Sequence, residues 1–140
     1  MRGLFVDTAG WAAFLVGSEA FHEQAVFLLD HARANGQPVL TTSYVMAEIV
    51  ALLTSPMRVP RREQVRIVGT LRSAEWIRIL HVDPAQGEAA WQLLAKQDDK
   101  MWSLVDCTSF VVMREYSITV ALTSDRHFEP AGFTRLLRKQ

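Results

Sequence analysis

The sequence predicts an α/β fold: a three-layer α/β/α sandwich around a parallel sheet of roughly five strands. Three observations carry that prediction. Short apolar runs near residues 4–6, 39–40, 76–80 and 118–122 alternate with longer segments of helical spacing, the order that gives parallel strands joined by right-handed helical crossovers. Turn and cap signals separate them: Asn35-Gly36 ahead of Pro38, Asp83-Pro84, and Ser103 three residues before Asp106. No repeat, low-complexity tract or linker breaks the 140 residues. One domain, 1–140, accounts for the chain, a length that buries about 68% of the unfolded surface.

Taken in order, Leu4-Phe5-Val6 is too short and too uniformly apolar for a helix and reads as a buried strand. A helix-like segment, Ala9 to Val16, follows Asp7 and Thr8. The next helix is expected from Ser18 to Ala34, with Phe21, Ala25, Leu28 and Leu29 at helical spacing and Asn35-Gly36 as a left-handed stop. Val39-Leu40 is the second strand. Thr42 or Ser43 can cap a helix from Tyr44 to Leu53 that Pro56 ends, and another helix runs from Pro60 to Arg72. Trp76 to Leu80 is the third strand. Asp83-Pro84 starts a helix reaching Lys96, since proline suits the first helical position. After the polar break Asp98-Asp99-Lys100, Ser103 opens a helix to Glu115. Ile118 to Leu122 is a β-branched strand, and Phe133 to Leu136 a short edge strand.

Composition excludes several classes. No apolar run approaches the roughly 18 residues of a membrane span and no leader pattern is present, so neither insertion nor secretion is expected. Cys107 is the single cysteine, which rules out an intrachain disulfide and fits a reducing cytoplasm. Fifteen basic residues balance fifteen acidic ones, against broad charge-driven nucleic-acid binding. The charge is uneven, however. Arg58, Arg61, Arg62, Arg66, Arg72 and Arg78 face only Glu63 and Glu75 in their segment.

Four acids stand out. Asp7 ends the first strand, where open α/β sheets place their crevice, although aspartate there also suits an N-cap. Glu48 is the only charge between Thr41 and Pro56. A carboxylate in so apolar a helix needs a cation, dense hydrogen bonding, a proton or an arginine partner. Asp106 closes a capping box opened by Ser103, a role that leaves lone pairs for a metal. Asp125 ends the polar turn Thr123-Ser124-Asp125, where aspartate is common for local reasons. If the strands preceding Asp7 and Asp125 are neighbours, both acids flank one crevice. Asp99, or Asp98 in its place, reads as a supporting acid.

Oxygen-only ligation by these groups suits Mg²⁺ or Mn²⁺, whereas Zn²⁺ favours His or Cys. Gathered carboxylates raise one another's pKa unless a cation compensates. Such a site supports phosphodiester hydrolysis without a covalent intermediate. Cys107 reads as packing, and His127 as a loop histidine near enough to Asp125 to assist. No Walker lysine loop and no Gly-x-Gly-x-x-Gly are present.

An ordered set of motifs spans the chain: Phe5-Val6-Asp7-Thr8, then Thr42 through Ala47-Glu48. The longest runs from Asp99-Lys100-Met101-Trp102-Ser103 through Asp106-Cys107 to Ser109-Phe110. Last come Leu122-Thr123-Ser124-Asp125-Arg126-His127-Phe128 and Gly132-Phe133. With these pieces the chain resembles the PIN-domain ribonucleases, particularly the VapC-type toxins of bacterial toxin–antitoxin pairs. The resemblance implies a five-strand parallel sheet and a cytoplasmic, Mg²⁺- or Mn²⁺-dependent endoribonuclease acting on RNA. It also implies a homodimer and a small antitoxin that covers the site. By resemblance Asp7, Glu48, Asp106 and Asp125 form the acidic quartet with Asp99 as an extra acid, and Thr8, Ser103 and Thr123 orient them.

Two other readings stand beside this one: a housekeeping PIN nuclease in RNA processing, and a receiver-like phospho-signalling domain. The second fits poorly, because Asp83 after the third strand reads as a helix cap. Residues 57–75 match no motif of the family. There Arg62 and Arg66, four apart on one helix face, are expected to contact RNA phosphates or the antitoxin.

Overall fold

The computed structural model describes residues 2–139. β1 (Leu4–Val6) is buried along its whole length and passes through Asp7 into α1 (Thr8–Leu15). α2 (His22–Ala34) leads to β2 (Val39–Thr42), also buried at every residue, and Thr42 caps α3 (Ser43–Thr54). α4 (Arg61–Ser73), β3 (Ile77–Leu80), α5 (Pro84–Lys96) and α6 (Leu104–Glu115) follow. The chain closes with β4 (Val120–Leu122), a 3-10 turn (Arg126–Phe128) and β5 (Thr134–Arg135).

All five strands are parallel, in the order β3-β2-β1-β4-β5. β1 is central. The chain moves outward through β2 and β3, then returns across the sheet to β4, so the order reverses between β1 and β4. That reversal opens a crevice at the carboxyl ends of those strands. Val6 pairs with Leu122, which brings the residues just after the two strands together, as the crevice reading requires. Right-handed crossovers put α1 to α4 on one face of the sheet and α5 with α6 on the other.

The elements sit where periodicity places them, with differences at the ends. α2 starts at His22 rather than Ser18. The chain leaving α1 must reverse first, and it does so through turns closed by Glu19 N–H to Val16 O and His22 N–H to Glu19 O, both 3.1 Å. The His22 ring nitrogen Nδ1 meets Ala13 O at 2.8 Å, tying the reversal back to α1. The left-handed stop after α2 is present: Gly36 has φ +65°. Gln37 N–H donates to Ala32 O and Gly36 N–H to Arg33 O, so orphan carbonyls at the helix end are satisfied. β3 begins at Ile77, β4 at Val120, and β5 covers only Thr134–Arg135.

Two packing features hold the sheet end in shape. Trp11 is fully buried, and its Nε1–H donates to Thr41 Oγ1 at 3.1 Å, which in turn donates to Val6 O at 2.8 Å. This relay pins α1 over the ends of β1 and β2. Phe110, fully buried, stacks among Trp102, Phe128 and Phe133, with ring centroids 5.1, 5.0 and 5.5 Å away. Of the other tryptophans, Trp91 is exposed and Trp76 and Trp102 are half-buried. No helix among the described residues is long and apolar enough to cross a membrane.

Gly10 lets α1 lie directly against the strand ends. A Cβ there would stand 2.0 Å from Leu122 O and 2.9 Å from Val6 Cγ1. Both atoms belong to the β1–β4 seam, so neither yields without moving Asp7. Gly10→Ala should therefore destabilise the fold by at least about 2 kcal/mol. Urea denaturation reads this directly, and an unchanged midpoint would show that the seam is looser than described.

Candidate active site

The crevice is lined by Asp7, Thr8, Glu48, Asp106, Ser124 and Asp125, with Glu19 and Phe21 on its wall and a volume of about 330 Å³. Four elements supply the acids. Asp7 comes off β1, Glu48 from α3, Asp106 from the first turn of α6, and Asp125 from the turn after β4. These four expected residues are brought to one place.

Each acid is held by a neighbour. Asp7 is buried and caps α1: Oδ1 accepts from Gly10 N–H at 2.9 Å, and Oδ2 accepts from Thr123 Oγ1–H at 2.8 Å. The same Thr123 oxygen accepts the Asp125 N–H at 2.9 Å, so one hydroxyl fixes two acids relative to each other. Thr8 donates a short hydrogen bond to Glu48 Oε1. Asp106 Oδ2 accepts Ser103 N–H and Asp106 N–H donates to Ser103 Oγ, both at 3.0 Å. The capping box and the site thus use the same carboxylate. Thr8 and Thr123 reach their acids' carboxylates through their hydroxyls, whereas Ser103 reaches the Asp106 carboxylate through its backbone N–H.

Glu48 differs from expectation in its burial. Apolar as its sequence is, α3 has a solvent face: Tyr44, Ala47 and Ala51 are exposed and Glu48 is half-buried on the crevice side. No arginine pairs with it among the described residues; its partner is the Thr8 hydroxyl. Asp99 is not brought in. Its carboxylate is exposed, faces Lys100 Nζ at 3.7 Å and does not line the crevice. The polar break at 98–100 leaves it before α6 begins, whereas Asp106 rides on the helix itself.

Glu19 lines the crevice from the reversal between α1 and α2, and nothing in its sequence setting marked it. His127 lies closer to the acids than a loop position implied. Its Nδ1 is 3.2 Å from Asp125 Oδ1 and 3.9 Å from Asp106 Oδ2. Cys107 is fully buried, as packing requires. Asp83 caps α5 in a reciprocal box with Gln86 and does not line the crevice, so it is not placed to accept a phosphoryl group as a receiver domain would need.

Arg66 is held by Glu63 through its Nε at 3.0 Å, and both side chains are substantially exposed. α4 packs on the flank of α3 that carries Val50. Glu48 and Val50 are about 200° apart around α3. α4 therefore lies across α3 from Glu48, and neither Arg62 nor Arg66 lines the crevice.

The electrostatics follow from burial and crowding. Burial pushes the Asp7 carboxyl up to about 7, with Asp125 and Asp106 adding repulsion against the hydrogen bonds from Gly10 and Thr123. Asp106 is raised too, first by burial and then by Asp125 and Glu48. Converging oxygens with uncompensated negative charge are the donor set a hard divalent cation takes. One ligand atom each from Asp106, Asp125 and His127 fall within 4.8 Å of one another.

The raised Asp7 value has a stability consequence in the metal-free protein. The fold holds the Asp7 proton from its ordinary 3.8 up to about 7. The stabilisation is complete below about 4 and is lost as pH rises through about 7, by up to roughly 4 kcal/mol. Asp7→Asn should remove this dependence. In chelator, the variant should gain on the wild type as pH rises from about 5 to about 8, measured by urea denaturation. Parallel pH profiles for the two proteins would contradict the assignment.

Residues 4–133 match the PIN domain. The chain is 36% identical over 134 residues to the 23S rRNA-specific endonuclease VapC20 of Mycobacterium tuberculosis, covering 95% of this chain and 97% of that protein. The crystal structure of M. tuberculosis VapC20, described as a Sarcin-Ricin loop cleaving toxin, superposes with TM-score 0.82 at 34% identity, covering 98% and 100% of the two chains. FitAcB from Neisseria gonorrhoeae shares the fold, with TM-score 0.68 at 18% identity and 96% of each chain covered. On the matched domain and the identity across nearly its full length, the chain belongs to the PIN-domain family.

Proposed function

We propose that the protein is a divalent-metal-dependent endoribonuclease that hydrolyses RNA phosphodiester bonds and serves as the toxin of a type II toxin–antitoxin pair. The observation that carries this reading is the meeting of Asp7, Glu48, Asp106 and Asp125 at the β1–β4 crevice. It is joined to 36% identity with an endonuclease specific for 23S rRNA. Ribosomal RNA is accordingly the substrate class we assign. We assign the activity to the cytoplasm, where ribosomal RNA is found.

Asp7, Glu48, Asp106 and Asp125 would hold Mg²⁺ or Mn²⁺. Bound there, the ion would supply polarisation of a phosphoryl oxygen, a lower pKa for the attacking water and charge neutralisation at the leaving 3′ oxygen. The chain's own contribution is order. Thr123 and Gly10 keep both Asp7 oxygens aimed before substrate arrives, Thr8 orients Glu48, and Ser103 fixes Asp106. Preset donors of this kind need no rearrangement during reaction, which is where electrostatic catalysis gains most. Phe21 and Leu52 add an apolar wall to the crevice.

A small antitoxin that covers the crevice, and a second copy of the chain, are the partners we assign. Exposed Phe27 and Trp91 supply apolar surface for such contacts. Arg62 and Arg66, which do not line the crevice, suit the antitoxin or distant phosphates better than the scissile one. Two variants test the assignment together. Asp7→Asn should fold and lose RNA cleavage by at least ~10²-fold. Arg62→Ala combined with Arg66→Ala should keep cleavage at low salt. Unchanged cleavage by purified Asp7→Asn protein would sink the mechanism, and loss of cleavage in the arginine variant would move α4 onto the RNA path.

A further inference from the structure

His127 makes the site something other than a set of oxygens. The 3-10 turn that carries it is built on Asp125, whose Oδ1 accepts the His127 backbone N–H at 2.9 Å. Phe128, the next residue, is fully buried with its ring centroid 5.0 Å from that of Phe110. The turn is thus anchored from both sides, and the imidazole is delivered to the crevice rim by local structure. Its side chain is 44% exposed, while those of Asp125 and Asp106 are 30% and 16% exposed. Among the described residues, no lysine or arginine lies within ion-pair reach of either acid; His127 is the one nitrogen group that does.

The distances fit a shared ion. Ligands at the usual bond lengths around an octahedral cation stand about 3.0 Å apart when adjacent and about 4.2 Å when opposite. His127 Nδ1 is 3.2 Å from Asp125 Oδ1, close to the adjacent separation, and 3.9 Å from Asp106 Oδ2, a little short of the opposite one. The geometry points to His127 as a nitrogen ligand of the divalent ion, in a site that therefore favours Mn²⁺ and related transition ions over Mg²⁺. Imidazole suits first-row transition ions, whereas Mg²⁺ prefers oxygen donors and its own water. This deepens the metal-dependent reading above and rests on it.

Mn²⁺ itself is the probe. Pulsed electron paramagnetic resonance on tag-free protein with substoichiometric Mn²⁺ should show modulation from a directly bonded nitrogen. Isotope labelling of histidine nitrogen, which leaves the fold untouched, should change its frequency, and His127→Gln should abolish it. Competition titration should show the preference for Mn²⁺ over Mg²⁺ falling roughly tenfold in His127→Gln. Bound Mn²⁺ without nitrogen modulation, or an unaltered preference in the variant, overturns the role of His127 while leaving the acidic metal site intact. Failure of the wild type to bind Mn²⁺ at all would overturn both.

Discussion

A buried carboxylate at the end of the central strand sets the terms for the rest of the molecule. Asp7 has lost most of its contact with water, and burial is the largest reason its carboxyl is pushed up to about 7. Placing two further aspartates within electrostatic reach makes the ionised form more costly still. Stability alone favours replacing such a group. Its presence at the point where the strand order reverses is understandable if a cation restores the balance, with the surrounding hydrogen bonds holding the carboxylates in place for one. Thr123 is the hinge of that preparation, donating to Asp7 and accepting from the backbone of Asp125. Because β1 and β4 are paired at Val6 and Leu122, the arrangement belongs to the sheet itself rather than to a mobile loop.

The same acids do structural work, so capping and site roles coincide instead of competing. Asp7 caps α1, Asp106 closes the box at the start of α6, and Asp125 starts the 3-10 turn. Each cap fixes a carboxylate whose remaining lone pairs still face other groups. A helix start is therefore an economical place for a crevice acid: the backbone positions the side chain without a dedicated partner. Glu48 is the exception. It lies inside α3, no cap holds it, and it depends on Thr8 from α1. This links the orientation of Glu48 to the packing of α1 on the sheet, and so to Gly10 and the Trp11–Thr41 relay.

Much of this was legible in the chain. Strand and helix order followed from apolar runs and punctuation, since Asn35-Gly36, Asp83-Pro84 and Ser103 act locally and need no tertiary context. The acids at strand ends could be singled out for the same reason. What could not be read depended on three-dimensional return. The reversal between α1 and α2 hid its turns behind a sequence of good helix spacing, and so shifted the start of α2 and concealed Glu19. The solvent face of α3 was invisible because Tyr44, Ala47 and Ala51 look like core residues. Sequence position alone does not separate Asp99 from His127 as neighbours of the acids. In the structure Asp99 precedes its helix and faces Lys100, while His127 is folded back by a turn built on Asp125.

Under the proposed function, acids from four separate elements hold one divalent centre. Anomalous diffraction from crystals grown with Mn²⁺ tests it most directly, because the signal locates the ion without reference to activity. A peak in the β1–β4 crevice, within bonding distance of Asp7 and at least one of Asp106 and Asp125, is the result expected. A crevice with no anomalous density at millimolar Mn²⁺, or an ion held elsewhere on the chain, would contradict it.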